Sequence, residues 1–308
     1  MIVFENPGVI DMTAVTTFGV SVKETENPIG YFGTGLKYAI AILLREECSI
    51  AIQAGIDRYE FGVEKDSVRG KEFEFVTMSA NGGEPTRLGF TTDVGKNWKL
   101  WQAYRELYCN ARDESGDAYR CSDEPDRQHD TTQVIVIGDQ VETIHNERWK
   151  YFVEGEPEFE FGGIEMQRKP SRAYFYRGVQ IFELPRGTMY TYNDTRAIEL
   201  TEDRSAKEGW WGIHYRLISA IKSATDKDFF RAVLTAPDSV IESDLDYDGW
   251  GGNPSEQFLR VVGDLVREKD KNLNETARKV WEARQPAVFA PRDIESPEAR
   301  HRISLCRI

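Results

Sequence analysis

The sequence predicts an α+β protein whose first 140 residues form a two-layer sandwich, a mainly antiparallel sheet with helices on one face. Two observations predict this class. Segments with helical spacing of apolar residues are interleaved with segments of strand character in the first half of the chain. Hydrophobic residues make up 40% of the 308 residues, which is enough for a substantial core. A different pattern begins between residues 140 and 150, so we expect a second mixed α/β region over residues 141–308.

Each element of the first region has its own pattern. Apolar residues recur at helical spacing from Gly35 to about Arg45, and again from Trp98 to about Glu114. Five segments read as strands: residues 2–4, Ser49–Ala54, Tyr59–Val63, Glu72–Met78 and Gln133–Gly138.

The second region is predicted to mix strands and helices. Paired strands are expected at Arg172–Phe182 and Thr188–Tyr192, and helices at Gly212 to about Ala224, Pro254–Lys269 and Leu273–Arg284. The proline-containing segment after these helices is expected to be an irregular tail.

Charge and composition exclude several classes of function. The net charge of −13 argues against a protein that mainly binds nucleic acid non-specifically, although a local basic groove stays open. No stretch approaches the roughly 20 apolar residues of a membrane span, and the first residues carry no basic region followed by an apolar run. The four cysteines form no CxxC pair, so we expect no zinc site and a reducing, cytoplasmic compartment.

The strongest chemical motif is Glu106-x-x-x-Asn110-Ala-x-Asp113. In a helix these three side chains lie within roughly 60° of each other on one face. Two carboxylates and an amide oxygen at one place suit a magnesium ion with an activated water, because magnesium binds few protein oxygens and keeps several waters. The alternative is the solvated polar face that every amphipathic helix has.

A second motif is the glycine-rich segment before the first long helix, with glycines at Gly30, Gly33 and Gly35. Glycines allow the backbone to approach a phosphate closely, and a helix N-terminus offers unpaired N–H groups at the positive end of its dipole. The segment lacks the Gly-Lys-Ser/Thr ending of a P-loop and the spacing of a dinucleotide-binding loop. A structural turn is the alternative.

Together these segments resemble the GHKL superfamily of ATPases, which have the Bergerat fold and include gyrase B, heat-shock chaperones, MutL, histidine kinases and MORC proteins. Glu106–Asp113 resembles the N-box of that family, and Gly30–Lys37 resembles its second glycine box. Phe18–Lys23 is similar to the Ser/Lys segment of the ATP lid, closest to MORC, and Val3–Asp11 is similar to the first glycine box. The resemblance covers roughly the first 140 residues.

Two departures from the family pattern are visible. The family usually begins with the N-box, whereas here the first glycine box and the lid come first, and the N-box follows only at Glu106. A circular permutation would produce this order, and chains tolerate one when the new ends lie in surface loops. In addition, Glu5 stands where the family has an aspartate that binds adenine, and Pro7 and Val9 replace glycines.

The resemblance implies an ATP site with magnesium, and it assigns a role to each matching residue. Gly30, Gly33, Gly35 and the helix start would hold the phosphates, Lys23 and Lys37 would add positive charge, Glu5 or Asn6 would meet the base, Asn110 would bind magnesium, Asp113 would support the metal through water, and Glu106 would orient and deprotonate the attacking water. Residues 141–308 would then be a transducer-like effector region.

We therefore expect a magnesium-dependent ATPase or an ATP-driven conformational switch, and we keep three alternatives. A non-catalytic nucleotide sensor is favoured by the altered first glycine box, whereas Glu106 favours hydrolysis. A structural or interaction protein would make the motifs coincidental. A histidine-kinase-like phosphotransferase ranks last, because no histidine lies in a recognisable dimerising helix. A protein partner for the C-terminal region and a homodimer both stay open.

Several other features have a plain structural interpretation. Asp244–Gly249 imitates the start of a calcium-binding EF-hand loop, but Ser255 stands where the loop needs glutamate, so we expect an acidic turn. Trp210-Trp211 and Trp250 are expected to be core or interface aromatics, with an exposed partner patch as the alternative. Cys109 is expected to be a small packed residue. Finally, Arg204 or Lys207 is the candidate for a polar group that reaches the γ-phosphate; a surface turn is the alternative.

Overall fold

A computed structural model describes residues 1–17 and 34–285 of the chain. Its contacts divide the chain into two compact units. Unit 1 consists of Met1–Pro185 and Tyr190–Trp210, and unit 2 consists of Arg186–Met189 and Trp211–Ile308. The boundary that the sequence predicts between residues 140 and 150 falls inside unit 1.

The strands among the described residues all belong to unit 1. In chain order they are β1 (Ile2–Pro7), β2 (Ser49–Ala54), β3 (Asp57–Val68), β4 (Lys71–Ala80), β5 (Thr86–Thr91), β6 (Asp117–Arg120), β7 (Thr131–Ile137), β8 (Phe159–Phe161), β9 (Ile164–Gln167), β10 (Ala173–Tyr176), β11 (Val179–Glu183) and β12 (Thr191–Asp194).

Helices occur in both units. In chain order they are α1 (Thr13–Thr16), α2 (Gly35–Arg45), α3 (Leu100–Asp113), α4 (Asp139–Asn146), α5 (Gly209–Ser223), α6 (Lys227–Leu234), α7 (Glu256–Glu268) and α8 (Glu275–Glu282), with short 3-10 turns at Arg148–Lys150 and Ile241–Asp244. Helix α5 begins at the end of unit 1, and the helices after it belong to unit 2.

The strands form two sheets. The larger has seven antiparallel strands in the order β5-β4-β3-β2-β7-β1-β6, and the smaller has five strands in the order β11-β10-β12-β9-β8. In the smaller sheet β10 and β12 are parallel, and the other pairs are antiparallel. The predicted α+β class, with an antiparallel sheet under helices and a second mixed region, is confirmed.

One face of the seven-stranded sheet is covered by helices. In β1 the side chains of Ile2 and Phe4 join the main core cluster. The residues of β7 that pair with them, and the residues of β2 that pair with those of β7, belong to the same cluster. Helices α2 and α3 bury Ile40 and Tyr104 in the same cluster, and the ring of Tyr104 lies 5.1 Å from that of Phe4. Because side chains alternate along a strand, Val3 and Glu5 point to the opposite face, here called the second face.

The local sequence explains where several elements begin and end. Helix α2 and strand β2 have the bounds that their apolar patterns predict. By contrast, Arg172–Phe182 is not one strand but the hairpin of β10 and β11. Both turn residues, Arg177 and Gly178, have positive φ angles (50° and 78°), as the favoured two-residue hairpin turns require.

Unit 2 is helical in its described part. Helix α7 contacts both α6 and α8. The rings of Phe230 and Phe258 meet edge to face at 5.6 Å between α6 and α7. The N-cap side chains of Asp226, Ser255 and Asn274 accept backbone hydrogen bonds at the starts of α6, α7 and α8, which fixes where these helices begin.

Among residues 1–17 and 34–285, no helix combines the length and the apolar character that a membrane crossing requires.

Candidate functional site

Helix α3 carries the three residues of the strongest motif. Its apolar side chains, among them Tyr104 and Leu107, are buried in the core under the sheet. On another side of the helix Glu106 is also buried, with 3% of its surface exposed, whereas Asn110 and Asp113 are partly exposed. Along the motif the side chains therefore change from the buried carboxylate of Glu106 to partly exposed groups near the C-terminal end of the helix.

Gly35, the first residue of α2, lies directly against Glu106. A Cβ atom added to Gly35 would lie less than 3.0 Å from the Oε2 atom of Glu106 and 3.2 Å from its carboxyl carbon. Only glycine allows this approach without moving the carboxylate. The last glycine of the glycine-rich segment and the first residue of the helical motif are thus neighbours, although they are far apart in the sequence.

Two buried arginines hold the carboxylate of Glu106. A guanidinium nitrogen of Arg204 lies 2.6 Å from Oε2, while Nε and Nη2 of Arg105 lie 3.2 and 3.1 Å from Oε1. Arg105 also donates to the backbone oxygen of Asp203 at 3.0 Å. Both oxygens of Glu106 therefore have cationic partners, in a place where an unpaired charge would cost several kcal/mol.

Electrostatics agrees with this pairing. Burial lowers the pKa of Arg204, but the negative charge of Glu106 opposes this effect, and the pKa is raised above its ordinary value. Burial also lowers the pKa of Arg105. Arginine is so basic that both guanidinium groups stay charged. Burial likewise raises the pKa of the Cys109 thiol, so this residue is a protonated, packed side chain as expected.

A further cation is buried in the first turn of α2. The side chain of Lys37 is fully buried, and burial lowers its pKa. Lys37, Arg105 and Arg204 are thus three buried basic side chains on or beside α2 and α3. The N-terminus of α2 adds the positive end of a helix dipole, and such surroundings suit an anionic ligand.

The segment Leu200–Ala206, here called the 200–206 turn, makes side-chain contacts with both α2 and α3. Its Arg204 pairs with Glu106 on α3, and its Glu202 accepts a hydrogen bond of 2.5 Å from the hydroxyl of Tyr38 on α2. That bond, with burial, raises the pKa of Tyr38 to about 12. Arg204 has a φ angle of +60°. This left-handed conformation raises the free energy of any residue that carries a side chain. The contacts around Arg204 must offset that increase in free energy.

The two residues predicted to meet a base point in opposite directions. Asn6 is buried on the helix-covered side, where its amide donates to Glu114 at 2.6 Å, just beyond the end of α3. Glu5 lies on the second face, where Oε2 accepts from the Tyr119 hydroxyl at 2.8 Å and from the Gln133 amide at 2.7 Å. The structure thus brings Asn6, but not Glu5, to the side of the sheet that carries Glu106.

The remaining predicted residues are distributed as follows. Lys23, Gly30 and Gly33 lie outside the described residues. Lys207 is exposed and its ammonium lies 3.6 Å from a carboxylate oxygen of Glu199.

Sequence reasoning missed Arg105 and the pairing of Tyr38 with Glu202. Arg105 directly precedes Glu106 on a helix that is buried on more than one side, and a charged residue at such a position could have pointed to an ion pair. Nothing in the sequence pattern indicates the partner of Tyr38, because Glu202 belongs to a distant turn.

For magnesium, the donor types fit, since amide and carboxylate oxygens are its usual protein ligands. Asn110 is partly exposed beside the buried Glu106, which suits an ion held by one protein oxygen and by ligand phosphates. Within the described part of the chain, no group of three or more Asp, Glu, His or Cys side chains could hold a metal by itself.

Comparisons with protein-family models, with curated proteins and with solved structures gave no match to this chain.

Proposed function

We propose that unit 1 binds ATP with magnesium at the start of α2 and beside α3, and that it works as an ATP-driven conformational switch or a magnesium-dependent ATPase of the GHKL type. The contact of Gly35 with Glu106 carries this proposal. The proposal requires that the glycine segment and the Glu106–Asp113 motif share one site, and this contact joins them.

The residues divide the work as follows. The N-terminus of α2, with Gly35 and Lys37, binds phosphate groups. Asn110 holds magnesium, which neutralises phosphate charge, and Asp113 orients water around the ion. Asn6, whose amide lies on the same side of the sheet, faces the base. Glu5 is left out of the site because it lies on the second face.

Glu106 is the residue that would deprotonate the attacking water, and its partners decide how. A general base must reach its water within hydrogen-bond distance. Both carboxylate oxygens now contact arginines, so at least one arginine must give way before Glu106 can act. Arg204 is the natural one, because a γ-phosphate would attract its guanidinium strongly.

The same pairing favours a second candidate, a nucleotide sensor without hydrolysis. If Arg204 and Arg105 stay on Glu106 when ATP binds, no base is available. Bound nucleotide would then act only by rearranging the 200–206 turn and the neighbouring helices.

The first test is binding. Wild-type protein is titrated with a non-hydrolysable ATP analogue, with and without magnesium. We expect Asn110→Ala to weaken binding at least about tenfold in magnesium and little without it, because a metal ligand is lost. Asn146→Ala, at the exposed end of α4, is the matched control. Absence of nucleotide binding by the wild type would refute the proposal.

The second test separates the ATPase from the sensor. We expect Glu106→Gln, which keeps the shape of the side chain, to reduce phosphate release by about two to four orders of magnitude while ATP still binds. Turnover that persists in the variant removes Glu106 from the role of base. Tight ATP binding without wild-type turnover identifies the sensor.

A further inference from the structure

Unit 2 carries a cluster of three exposed aromatic side chains, here called the aromatic shelf: Trp211, Tyr215 and Trp250. Trp211 is 68% exposed, Tyr215 48% and Trp250 43%. Trp211 and Tyr215 are one helical turn apart on α5, so they lie on the same side of that helix. The ring centroids of Trp211 and Tyr215 both lie 6.5 Å from that of Trp250. Large aromatic side chains that are grouped and exposed mark binding surfaces more often than scattered ones do.

The loop that presents Trp250 is firmly attached to α5. The buried ammonium of Lys222 donates to the backbone oxygens of Trp250 and Gly252, the second at 3.0 Å. Gly251 has a φ angle of +79°, and a Cβ atom there would lie 2.5 Å from Cγ2 of Ile218. The backbone beneath the indole is therefore fixed by packing, while the ring itself faces solvent. A preorganised aromatic ring loses little conformational entropy when a ligand covers it.

The shelf has an acidic border. Of the four acidic residues in segment 241–253, three reach the surface and Glu242 is fully buried; the segment contains neither lysine nor arginine. Asp248 is exposed, and the partly exposed Asp246 accepts backbone hydrogen bonds from Asp248 and Gly249, which forms the acidic turn that the sequence predicts. Asp244 is also exposed and contacts Arg186. A cation is therefore the favoured ligand, because aromatic faces and carboxylates both attract positive charge.

The arrangement of the rings selects among cations. The planes of Trp211 and Trp250 are nearly parallel, 27° apart, with centroids 6.5 Å apart. A planar group between two ring faces needs about 7 Å, since carbon contacts are optimal near 3.5 Å on each side. A flat guanidinium fits such a space with a small movement of exposed side chains, whereas a rounder ammonium fits less well. The ring of Tyr215 stands at 79° to that of Trp250.

We infer that the aromatic shelf binds an arginine side chain in a basic peptide segment of a partner protein, with the guanidinium between Trp211 and Trp250 and with Asp248 at its edge. The three side chains are 43–68% exposed, which suits contact with a side chain that projects from a longer chain. The inference does not depend on the nucleotide site, which belongs to unit 1.

The test uses the full chain and a synthetic peptide of alternating arginine and serine, with blocked ends. Binding is followed by isothermal titration. Two further peptides replace every arginine by lysine or by citrulline, which is as flat as arginine but neutral. We expect the arginine peptide to bind with a Kd below about 1 mM, the lysine peptide to bind more weakly, and the citrulline peptide to bind weakest.

Substitutions then locate the site. We expect Trp250→Ala and Trp211→Ala each to weaken binding of the arginine peptide about 5- to 30-fold, and Trp250→Phe to retain most of the affinity. Trp149→Ala is the matched control, because Trp149 is an equally exposed tryptophan (47%) in unit 1. Asp248→Asn should weaken binding about two- to fivefold and reduce its dependence on salt, whereas Asp238→Asn, at another exposed aspartate of unit 2, should not.

Four outcomes would overturn the inference: no binding of the arginine peptide at 1 mM, equal binding of the citrulline peptide, unchanged affinity in both tryptophan-to-alanine variants, or binding of a neutral oligosaccharide through Trp250 in place of the peptide. Truncation of the exposed indole leaves the Lys222 contacts with the backbone intact, so these variants should fold. Circular dichroism of each variant confirms this point.

Discussion

The two faces of the seven-stranded sheet bury polar groups in different ways. On the helix-covered side, buried charges form direct ion pairs, as in the contacts of Glu106 with Arg105 and Arg204, beside the buried amide of Asn6. On the second face, the buried groups are amides. Gln53 and Gln133 are each 1% exposed and donate to carboxylates, but their Oε1 atoms have no hydrogen-bond partner.

The difference shows on which face the fold buries charged side chains. A buried ion pair is a poor way to gain stability, because desolvation offsets most of the attraction. In the contacts of Glu106 with Arg105 and Arg204, removal of the carboxylate would leave two buried guanidinium groups without a counter-charge. The second face has its ion pairs at the surface, such as Arg58 with Glu60 at 3.0 Å. It can lose single interactions at a lower cost.

The largest expected effect comes from breaking the buried cluster. We expect Glu106→Ala to lower the free energy of unfolding by about 3–5 kcal/mol, because two guanidinium groups would remain buried without their carboxylate. Glu60→Ala removes the half-exposed partner of Arg58 on the second face and should cost less than about 1 kcal/mol. Urea denaturation of both variants measures the difference. Equal losses would show that the two faces do not differ.

A smaller effect is expected from added volume. Gly35→Ala places a methyl group against a carboxylate that two arginines hold in position, so we expect a loss of about 1–3 kcal/mol. Gly89→Ala on β5 is the matched control, since a Cβ atom there meets nothing within 4 Å. It should leave stability unchanged or raise it by up to about 1 kcal/mol. Thermal unfolding of the two variants tests the closeness of the Gly35 contact, and a neutral Gly35→Ala would argue that the carboxylate moves freely.

The second face should tolerate loss of an amide. We expect Gln133→Leu to stay within about 1 kcal/mol of the wild type, because the lost bond to Glu5 is offset by removal of a buried oxygen that has no partner. Gln53→Leu repeats the experiment on β2 with Glu124 as the lost acceptor. A loss above about 2 kcal/mol in urea denaturation would mean that these oxygens are satisfied in solution.

The sequence predicted several regular elements of this fold but missed others, among them β5, β6 and α6, and it predicted the tertiary pairings poorly. Helix α2 and strand β2 follow from local periodicity alone, and their bounds were predicted correctly. The β10–β11 hairpin was predicted as one strand, because its two-residue turn begins with Arg177, which carries no common turn signal.

The candidate site divides in the same way. The shared face of Glu106, Asn110 and Asp113 follows from helix geometry. The face on which Glu5 and Asn6 lie depends on the register of β1, where a shift by one residue exchanges the two sides. The pairing of Glu106 with Arg204 depends on where a distant turn packs, and local periodicity contains no information about that.

The last prediction concerns the pH dependence of stability and a buried histidine in the helix layer. His145 on α4 is buried in the helix layer, and its Nδ1 atom lies 2.9 Å from the hydroxyl of Tyr104. Burial lowers the pKa of His145 below its ordinary value of 6.5, and the positive charge of Arg148 adds to this effect. As the pH falls through 6.5, the unfolded chain therefore binds a proton before the folded protein does, so stability decreases until the folded pKa is reached.

His145→Gln should reduce this decrease, measured by urea denaturation in steps from pH 7.5 to pH 5. His214 in unit 2 also has a pKa lowered by burial, so part of the decrease should remain in that variant. A profile that His145→Gln does not change would place the proton-sensitive group outside the helix layer.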